Sequence, residues 1–318
     1  MPYRQKKVVV IGAGAVGTAY IYALLPGGVA GEIALIDIDQ NRVEGEVLDL
    51  SHGLPFIPPV TIKKGDYADC ADADIIVVTA GAKQKPGQSR LDLTQKNAQI
   101  VRSICRQISK QNSSAVLVMV TNPVDALTYL ALKELKWPHQ RVIGSGTVLD
   151  SARFKYLLSQ HCGIDARNVH AYILGEHGDS EVAAWSMSHI AGMLLNEYCR
   201  ICKVCDYNEH HRKIAEEVRN SAYHIIDYKG STYYGIGLSL VRITEAILRN
   251  ENSILTVSSL LDGQYGIKDV CLSVPCVVGD NGVKTTIDAE LACEELEALR
   301  ASAQTIRKVL DEIKDTAE

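Results

Sequence analysis

Lys7-Val8-Val9-Val10-Ile11-Gly12-Ala13-Gly14-Ala15-Val16-Gly17 is the stretch whose reading decides the fold. A β-branched run ends in a G-x-G-x-x-G turn, and the apolar, helix-like residues Thr18 to Leu25 follow directly. Glycines at those three places permit a tight turn, let backbone N–H groups approach a pyrophosphate, and let a helix pack closely on a sheet. The amino end of that helix favours the anion electrostatically. Twenty residues beyond Gly17, Asp37 closes a second strand-like run. A carboxylate there accepts hydrogen bonds from an adenosine ribose diol and repels a 2′-phosphate, so the pattern predicts NAD in preference to NADP.

Outward from this unit lie Ile33 to Asp37, Val60 to Lys63, Asp74 to Thr79, Ala115 to Val120 and Arg141 to Ile143. With Lys7 to Ile11 they predict six parallel strands. Such continuous Val/Ile-rich runs suit a sheet covered on both faces, and the intervals are long enough for crossover helices. The expected class is α/β, a Rossmann-type doubly wound parallel sheet over residues 1–145 followed by an α+β catalytic and substrate-binding domain over 146–318. In the second part helical segments are expected to dominate. Val270 to Val278 and Val283 to Ile287 flank Gly279-Asp280-Asn281-Gly282 as a hairpin, and Glu290 to Lys314 reads as a closing helix. No linker-like tract separates the halves, which predicts a broad shared interface.

The 318 residues leave room for two domains with cores of their own. Hydrophobic residues at 47% and charged residues at 22% exclude disordered and fibrous classes. With 33 Lys plus Arg against 38 Asp plus Glu, the net charge of −5 provides no bulk positive field for nucleic acid or an anionic membrane. No apolar run reaches the roughly 18 residues of a membrane span, and no secretory hydrophobic region follows Met1, so a cytoplasmic protein is expected. Its nine cysteines then read as reduced thiols. Cys199-x-x-Cys202-x-x-Cys205, followed by His210-His211, has the start of a metal-ligand spacing but no fourth cysteine. Core or interface thiols, and no metal, are expected; Trp137 and Trp185 are expected to pack.

The chemistry concentrates in Gly175-Glu176-His177-Gly178-Asp179 and in Leu149-Asp150-Ser151-Ala152-Arg153. A histidine exchanges protons near neutral pH, a buried aspartate on its second nitrogen fixes the tautomer, and an arginine fork grips a carboxylate with two parallel bonds. Spacing alone does not show that these groups converge.

Together with Gly81-Ala82-Lys83-Gln84-Lys85-Pro86-Gly87-Gln88-Ser89-Arg90-Leu91-Asp92-Leu93, Val120-Thr121-Asn122-Pro123-Val124-Asp125 and Gly144-Ser145-Gly146-Thr147, these motifs make nearly the whole chain resemble the NAD-dependent L-lactate dehydrogenases of bacterial type. The resemblance implies that His177 donates and accepts the proton, that Asp150 is its partner, that Arg153 clamps the substrate carboxylate and that Arg90 rides on a loop closing over the substrate. Gln84, Asn122 and Thr232 would line the substrate pocket. Gly12, Gly14, Val16, Gly17, Asp37, Arg42, Tyr67, Gly81, Ala82, Ser103, Val120, Asn122, Ser145 and Ile236 would contact NAD. Gln84 stands where malate-specific relatives place an arginine, so a second substrate carboxylate would be desolvated opposite a neutral amide. Lactate and pyruvate are therefore expected rather than malate.

The resemblance also implies a homotetramer and a fructose 1,6-bisphosphate site at Lys155 and His170. Lys155 departs there from the arginine of activated relatives, and lysine cannot offer a bidentate fork to phosphate. Two other readings stay open at this point: a malate or broad 2-hydroxy-acid dehydrogenase, and a non-catalytic dinucleotide-binding sensor or structural protein. A sensor would have no need of His177, Asp150, Arg153 and Arg90 together.

Overall fold

The computed structural model describes residues 5–82, 89–202 and 207–314. Each predicted run of the first half is a strand. β1 (Lys7–Ile11), α1 (Ala15–Leu24), β2 (Glu32–Ile36), α2 (Gln40–His52), β3 (Thr61–Lys64), β4 (Ile75–Val78), α3 (Arg90–Ile108), β5 (Val116–Met119), α4 (Val124–Leu135), β6 (Val142–Gly144) and α5 (Val148–Cys162) follow in order. Parallel pairing arranges the strands β3-β2-β1-β4-β5-β6. The burial of every residue of β1, β4, β5 and β6 explains their lack of polar alternation.

Because the chain leaves β1 towards β2 on one side and later returns to β4 on the other, a crevice opens at their carboxyl ends. Backbone bonds join its two lips. The Thr79 and Ala80 N–H groups donate to the Ile11 carbonyl at 2.8 and 2.9 Å, and the Thr79 hydroxyl donates to the Gly12 carbonyl at 3.0 Å.

Helices dominate the second half, as its sequence texture suggests, but short strands are interleaved with them. Short strands β7 (Val169–His170), β8 (Ile173–Leu174), β9 (Val182–Ala183), β10 (His189–Ile190) and β11 (Met193–Leu194) precede α6 (Leu195–Cys202), α7 (Tyr207–Lys229) and α8 (Tyr234–Leu248). Then come β12 (Ser253–Leu255), β13 (Ser258–Asp262), β14 (Lys268–Ser273), β15 (Cys276–Gly279), β16 (Gly282–Thr286) and α9 (Cys293–Lys314). The run Val270 to Val278, read as one strand, is two. It breaks at Val274-Pro275, where proline removes a ladder donor. β14 joins β13 at the edge of the large sheet, next to β6, whereas β15 pairs with β12 and β16. The sheet thus has eight strands rather than six, the last two antiparallel and drawn from beyond residue 145. The hairpin across Asp280-Asn281 forms as read, with Gly282 at φ +86°.

One apolar core runs through both halves, from Val8 and Ile76 to Leu240, Ile243, Leu299 and Ile306. At roughly 1.5–3 kcal/mol for each large side chain withdrawn from water, this continuity holds the halves as one body. α8 lies against α1: Gly237 faces the Ala19 backbone, and the buried Tyr20 hydroxyl meets Thr244 Oγ1 at 2.6 Å. A second core of Phe154, Leu158, Ile173, Ile190, Leu195 and Val218 fills the space between α5, α7 and the short strands. No helix among the described residues is long and apolar enough to cross a membrane.

Candidate active site

Parallel strands deliver α1, α3, α4 and α5 from the same carboxyl edge of the sheet, so the segments entering those helices collect on one side. Gly12 has φ +120°, a conformation that side chains rarely adopt. A Cβ at Gly17 would overlap the Gly12 carbonyl and stand 2.9 Å from Thr79 Oγ1, whereas one at Gly14 would meet nothing within 4 Å. The first and third glycines therefore shape the turn, and the second faces open space at the head of α1. Asp37 Oδ2 accepts the Ala13 N–H at 2.7 Å and Oδ1 accepts the Asp39 N–H at 3.0 Å, which aims its carboxylate at the turn. The open cradle, the uncapped helix start and the adjacent carboxylate fit a pyrophosphate with its ribose.

On the same edge, Asp150 lies in the first turn of α5 and is buried. Its Oδ2 is 2.5 Å from His177 Nδ1, and its Oδ1 accepts Arg153 Nη1 at 2.7 Å, one helical turn away. The negative charge of Asp150 raises the His177 pKa to about 9, against the opposing effect of burial. Burial pushes Asp150 up, but His177 and Arg153 hold its carboxyl below the usual range. The three groups inferred from two separated motifs are thus one hydrogen-bonded cluster.

Arg90, the first residue of α3, is exposed and turned to Asp179, with Nη1 3.3 Å from Oδ2. The Tyr223 hydroxyl donates to Asp179 Oδ1 at 2.7 Å and, ahead of Arg90, holds that carboxyl below its ordinary range. Ala82 N–H donates to Asn97 Oδ1, while Asn97 Nδ2 donates to the Asn122 carbonyl, both at 2.8 Å. One buried amide on α3 therefore ties the Gly81-Ala82 segment to the segment entering α4. Val120 and Ser145 follow β5 and β6, and the half-buried Thr232 and Ile236 flank the start of α8. Tyr67 is half-buried and Arg42 exposed near the amino end of α2. Ser103 stands apart from this grouping: it is exposed on α3 and lines a surface groove with Arg102, Arg106 and Lys110. Gln84 lies outside the described residues.

Two family descriptions match the chain: lactate/malate dehydrogenase, NAD binding domain, over residues 6–144, and lactate/malate dehydrogenase, alpha/beta C-terminal domain, over residues 147–317. The chain belongs to the lactate/malate dehydrogenase family. Among curated members it is 56% identical to the L-lactate dehydrogenase of Treponema denticola, across 98% of this chain and 100% of that protein. It is 54% identical to L-lactate dehydrogenase 1 of Clostridium acetobutylicum, across 98% and 99%. The minor L-lactate dehydrogenase of Enterococcus mundtii in its ligands-bound form superposes with a TM-score of 0.95 at 43% identity, covering 97% of this chain and 98% of that one. MGS-M5, a lactate dehydrogenase from a Medee basin deep-sea metagenome library, gives 0.95 at 44%, covering 98% and 100%.

Within this lactate/malate dehydrogenase framework, three further groups hold the His177 loop that sequence reasoning did not assign to the site. Buried Asp125, at the start of α4, accepts the His177 N–H on Oδ2 at 2.8 Å and the Ser273 hydroxyl on Oδ1 at 3.3 Å. Burial raises its pKa to about 6. Ser302 of α9 accepts the Glu176 N–H at 2.8 Å and lies 2.9 Å from Ser180 Oγ, while Ser180 donates to Glu176 at 2.5 Å. Asp125 was legible as part of a motif, but nothing local in the sequence announces Ser302.

Lys155 is half-buried, its Nζ 5.6 Å from the centre of the Tyr172 ring, and burial followed by the charge of Arg242 lowers its pKa. His170 is exposed opposite His189 in the β7–β10 pair. Cys199 is buried in the second core; Cys205 and the side chain of Cys202 lie outside the described residues. Trp185 packs edge-on to Phe154 at 4.7 Å and stacks on His211, and Trp137 packs against the main core beneath Arg141.

Proposed function

We infer that the chain catalyses the reversible interconversion of L-lactate and pyruvate with NAD as redox partner. The observation carrying this reading is the His177–Asp150–Arg153 cluster on the carboxyl edge of the sheet that bears the glycine turn. When bound, NAD would supply the two-electron acceptor. Gly12, Gly14 and Gly17 would hold its pyrophosphate and Asp37 its adenosine ribose. Val16, Arg42, Tyr67, Gly81, Ala82, Val120, Asn122, Ser145 and Ile236 would complete its contacts, whereas Ser103, exposed on α3 away from this edge, would not.

Arg153, anchored to Asp150 through Nη1, offers the rest of its fork to the lactate carboxylate. Neutral His177 takes the hydroxyl proton, and Asp150 stabilises the resulting imidazolium. Arg90, once released from Asp179, stabilises negative charge on the reacting oxygen. In the reverse direction the imidazolium returns the proton. By family resemblance Gln84, Asn122 and Thr232 would line the space around the methyl group, where a neutral Gln84 would disfavour a second carboxylate. Residues 1–145 form the cofactor-binding domain, which also lends Gln84, Arg90 and Asn122 to the substrate, and 146–318 the catalytic and substrate-binding domain, in the cytoplasm.

The decisive experiment is an initial-rate assay of NADH oxidation with pyruvate, oxaloacetate and longer 2-oxo acids. The expected result is the highest kcat/KM for pyruvate. Failure of every 2-oxo acid to react while NADH binds would leave a non-catalytic dinucleotide binder.

The active form is proposed to be a homotetramer. Exposed Tyr22 on α1, Leu48 on α2, Phe56, and Tyr234 and Leu238 on α8 provide apolar surface for subunit contact. Sedimentation should give a particle about four times the 34.7 kDa chain. Lys155 and His170 are proposed to receive the phosphates of fructose 1,6-bisphosphate weakly. Only modest activation is expected, and Lys155→Arg should strengthen it.

A further inference from the structure

Glu181 has no task in the reaction proposed above. It follows His177 by four residues at the end of the same loop, with its N–H turned back to the Gly178 carbonyl at 3.2 Å. It is only 9% exposed, and its Oε1 is buried without a hydrogen-bond partner. Asp150 and Arg153 face it from α5, His177 from its own loop and Arg219 from α7. Buried carboxylates are ordinarily paired or bonded at both oxygens, so an oxygen left unsolvated and unbonded suits a neutral acid better than an anion.

We propose that Glu181 is a second proton-holding group of the site: a buried carboxyl that stays neutral while His177 exchanges its proton with substrate, and that on ionising at alkaline pH tightens His177's hold on the imidazole proton. The inference rests on the proposed reaction. Burial, with the negative charge of Asp150 adding to it, lifts Glu181 to about 8, while His177, Arg219 and Arg153 pull the other way. His177 itself faces Asp150 and Arg153 from α5 and Asp125 from α4. A neutral Glu181 leaves Arg153 free to attract a substrate carboxylate. An ionised Glu181 would oppose that anion and stabilise the imidazolium, the proton having passed to solvent.

The test compares the parent enzyme with Glu181→Gln, which keeps the shape of the neutral acid and cannot ionise. The pH profiles of kcat/KM are measured in both directions, together with infrared difference spectra. The limb assigned to His177 is expected to move to lower pH by roughly half a unit or more, and KM for pyruvate at about pH 9 to fall severalfold. At about pH 7 the parent should show a protonated-carboxyl stretch that the variant lacks. Superimposable profiles, or no such stretch in the parent, would overturn the proposal. If no 2-oxo acid reacts, the proposed reaction fails instead, and the infrared band still decides whether Glu181 is neutral.

Discussion

Asp150 uses its two oxygens for two different partners, and most of the site's electrostatics follow from that division. With His177 raised from 6.5 to about 9, the free protein holds an imidazolium across the neutral range, the form that the proposed reduction of pyruvate requires. With pyruvate saturating, its reduction should therefore decline as pH rises through about 9, with lactate oxidation rising over the same interval. In Asp150→Asn the decline should move towards 6.5, lowering kcat/KM for pyruvate at about pH 7.5 by roughly 10- to 100-fold. The same pairing affects stability. A folded pKa raised above the unfolded value stabilises fully below 6.5, and the gain is lost as pH rises through about 9, on the order of 3 kcal/mol at most. Urea unfolding of parent and Asp150→Asn between those limits should show a steeper loss of stability with pH in the parent. His177→Gln should lower kcat by about 10²- to 10⁴-fold while leaving the NADH fluorescence titration almost unchanged, because the imidazole moves a proton rather than docking the cofactor. Equal losses in both measurements would instead assign His177 a structural role. At residue 84, Gln84→Arg should shift the oxaloacetate-to-pyruvate ratio of kcat/KM a few hundredfold, since roughly 1.5–2 kcal/mol from each of two substrates acts in one direction. A ratio that stays within about threefold would remove residue 84 from substrate selection.

The strand, turn and helix that open the chain separate folding from binding in a way that two substitutions can expose. Gly17 is filled from both sides by the Gly12 carbonyl and Thr79 Oγ1, so Gly17→Ala must push α1 off the sheet edge. Gly14 meets no protein atom, and Gly14→Ala should fold normally. Its new methyl group would occupy the space assigned to the pyrophosphate. The expected pattern is a Tm for Gly14→Ala close to the parent's with NADH Kd raised about tenfold or more, against a clear loss of Tm in Gly17→Ala. Thermal melts and NADH titrations on both variants check it. Unchanged NADH affinity in Gly14→Ala would move the cofactor away from this turn.

At the scale of the molecule, His177 is held from elements far apart in the chain. Its loop receives Asp125 from α4, meets β14 through Ser273, and rests on Ser302 of α9. Asp125→Ala would leave the His177 N–H and the Ser273 hydroxyl without their acceptor in a dry interior. Two such orphaned groups cost about 2–4 kcal/mol and loosen the loop, so both Tm and kcat should fall. Asp125→Asn keeps an acceptor oxygen for the His177 N–H and should recover much of the loss. Equal damage from both variants would mean that the carboxylate charge, rather than the hydrogen bond, is what matters.

The sequence by itself determined the parallel part of the sheet, the glycine turn and the chemical types at the site. These depend on local rules: continuous apolar runs for strands covered on both faces, glycine where backbone must pass close, and spaced motifs for histidine, aspartate and arginine. It did not show that β13 and β14 extend the first half's sheet, because edge pairing between strands distant in sequence leaves no local periodicity. Pro275 was visible, but its division of one apolar run between two sheets depended on where each half found partners. Likewise Asp150 and His177 are 27 residues apart, and only the fold brings them to 2.5 Å. Ser302 and Glu181 were silent in the sequence for the same reason: a serine on an amphipathic helix and a glutamate after a turn acquire meaning from the buried groups they face. Those neighbours, and the water they exclude, are decided by tertiary packing.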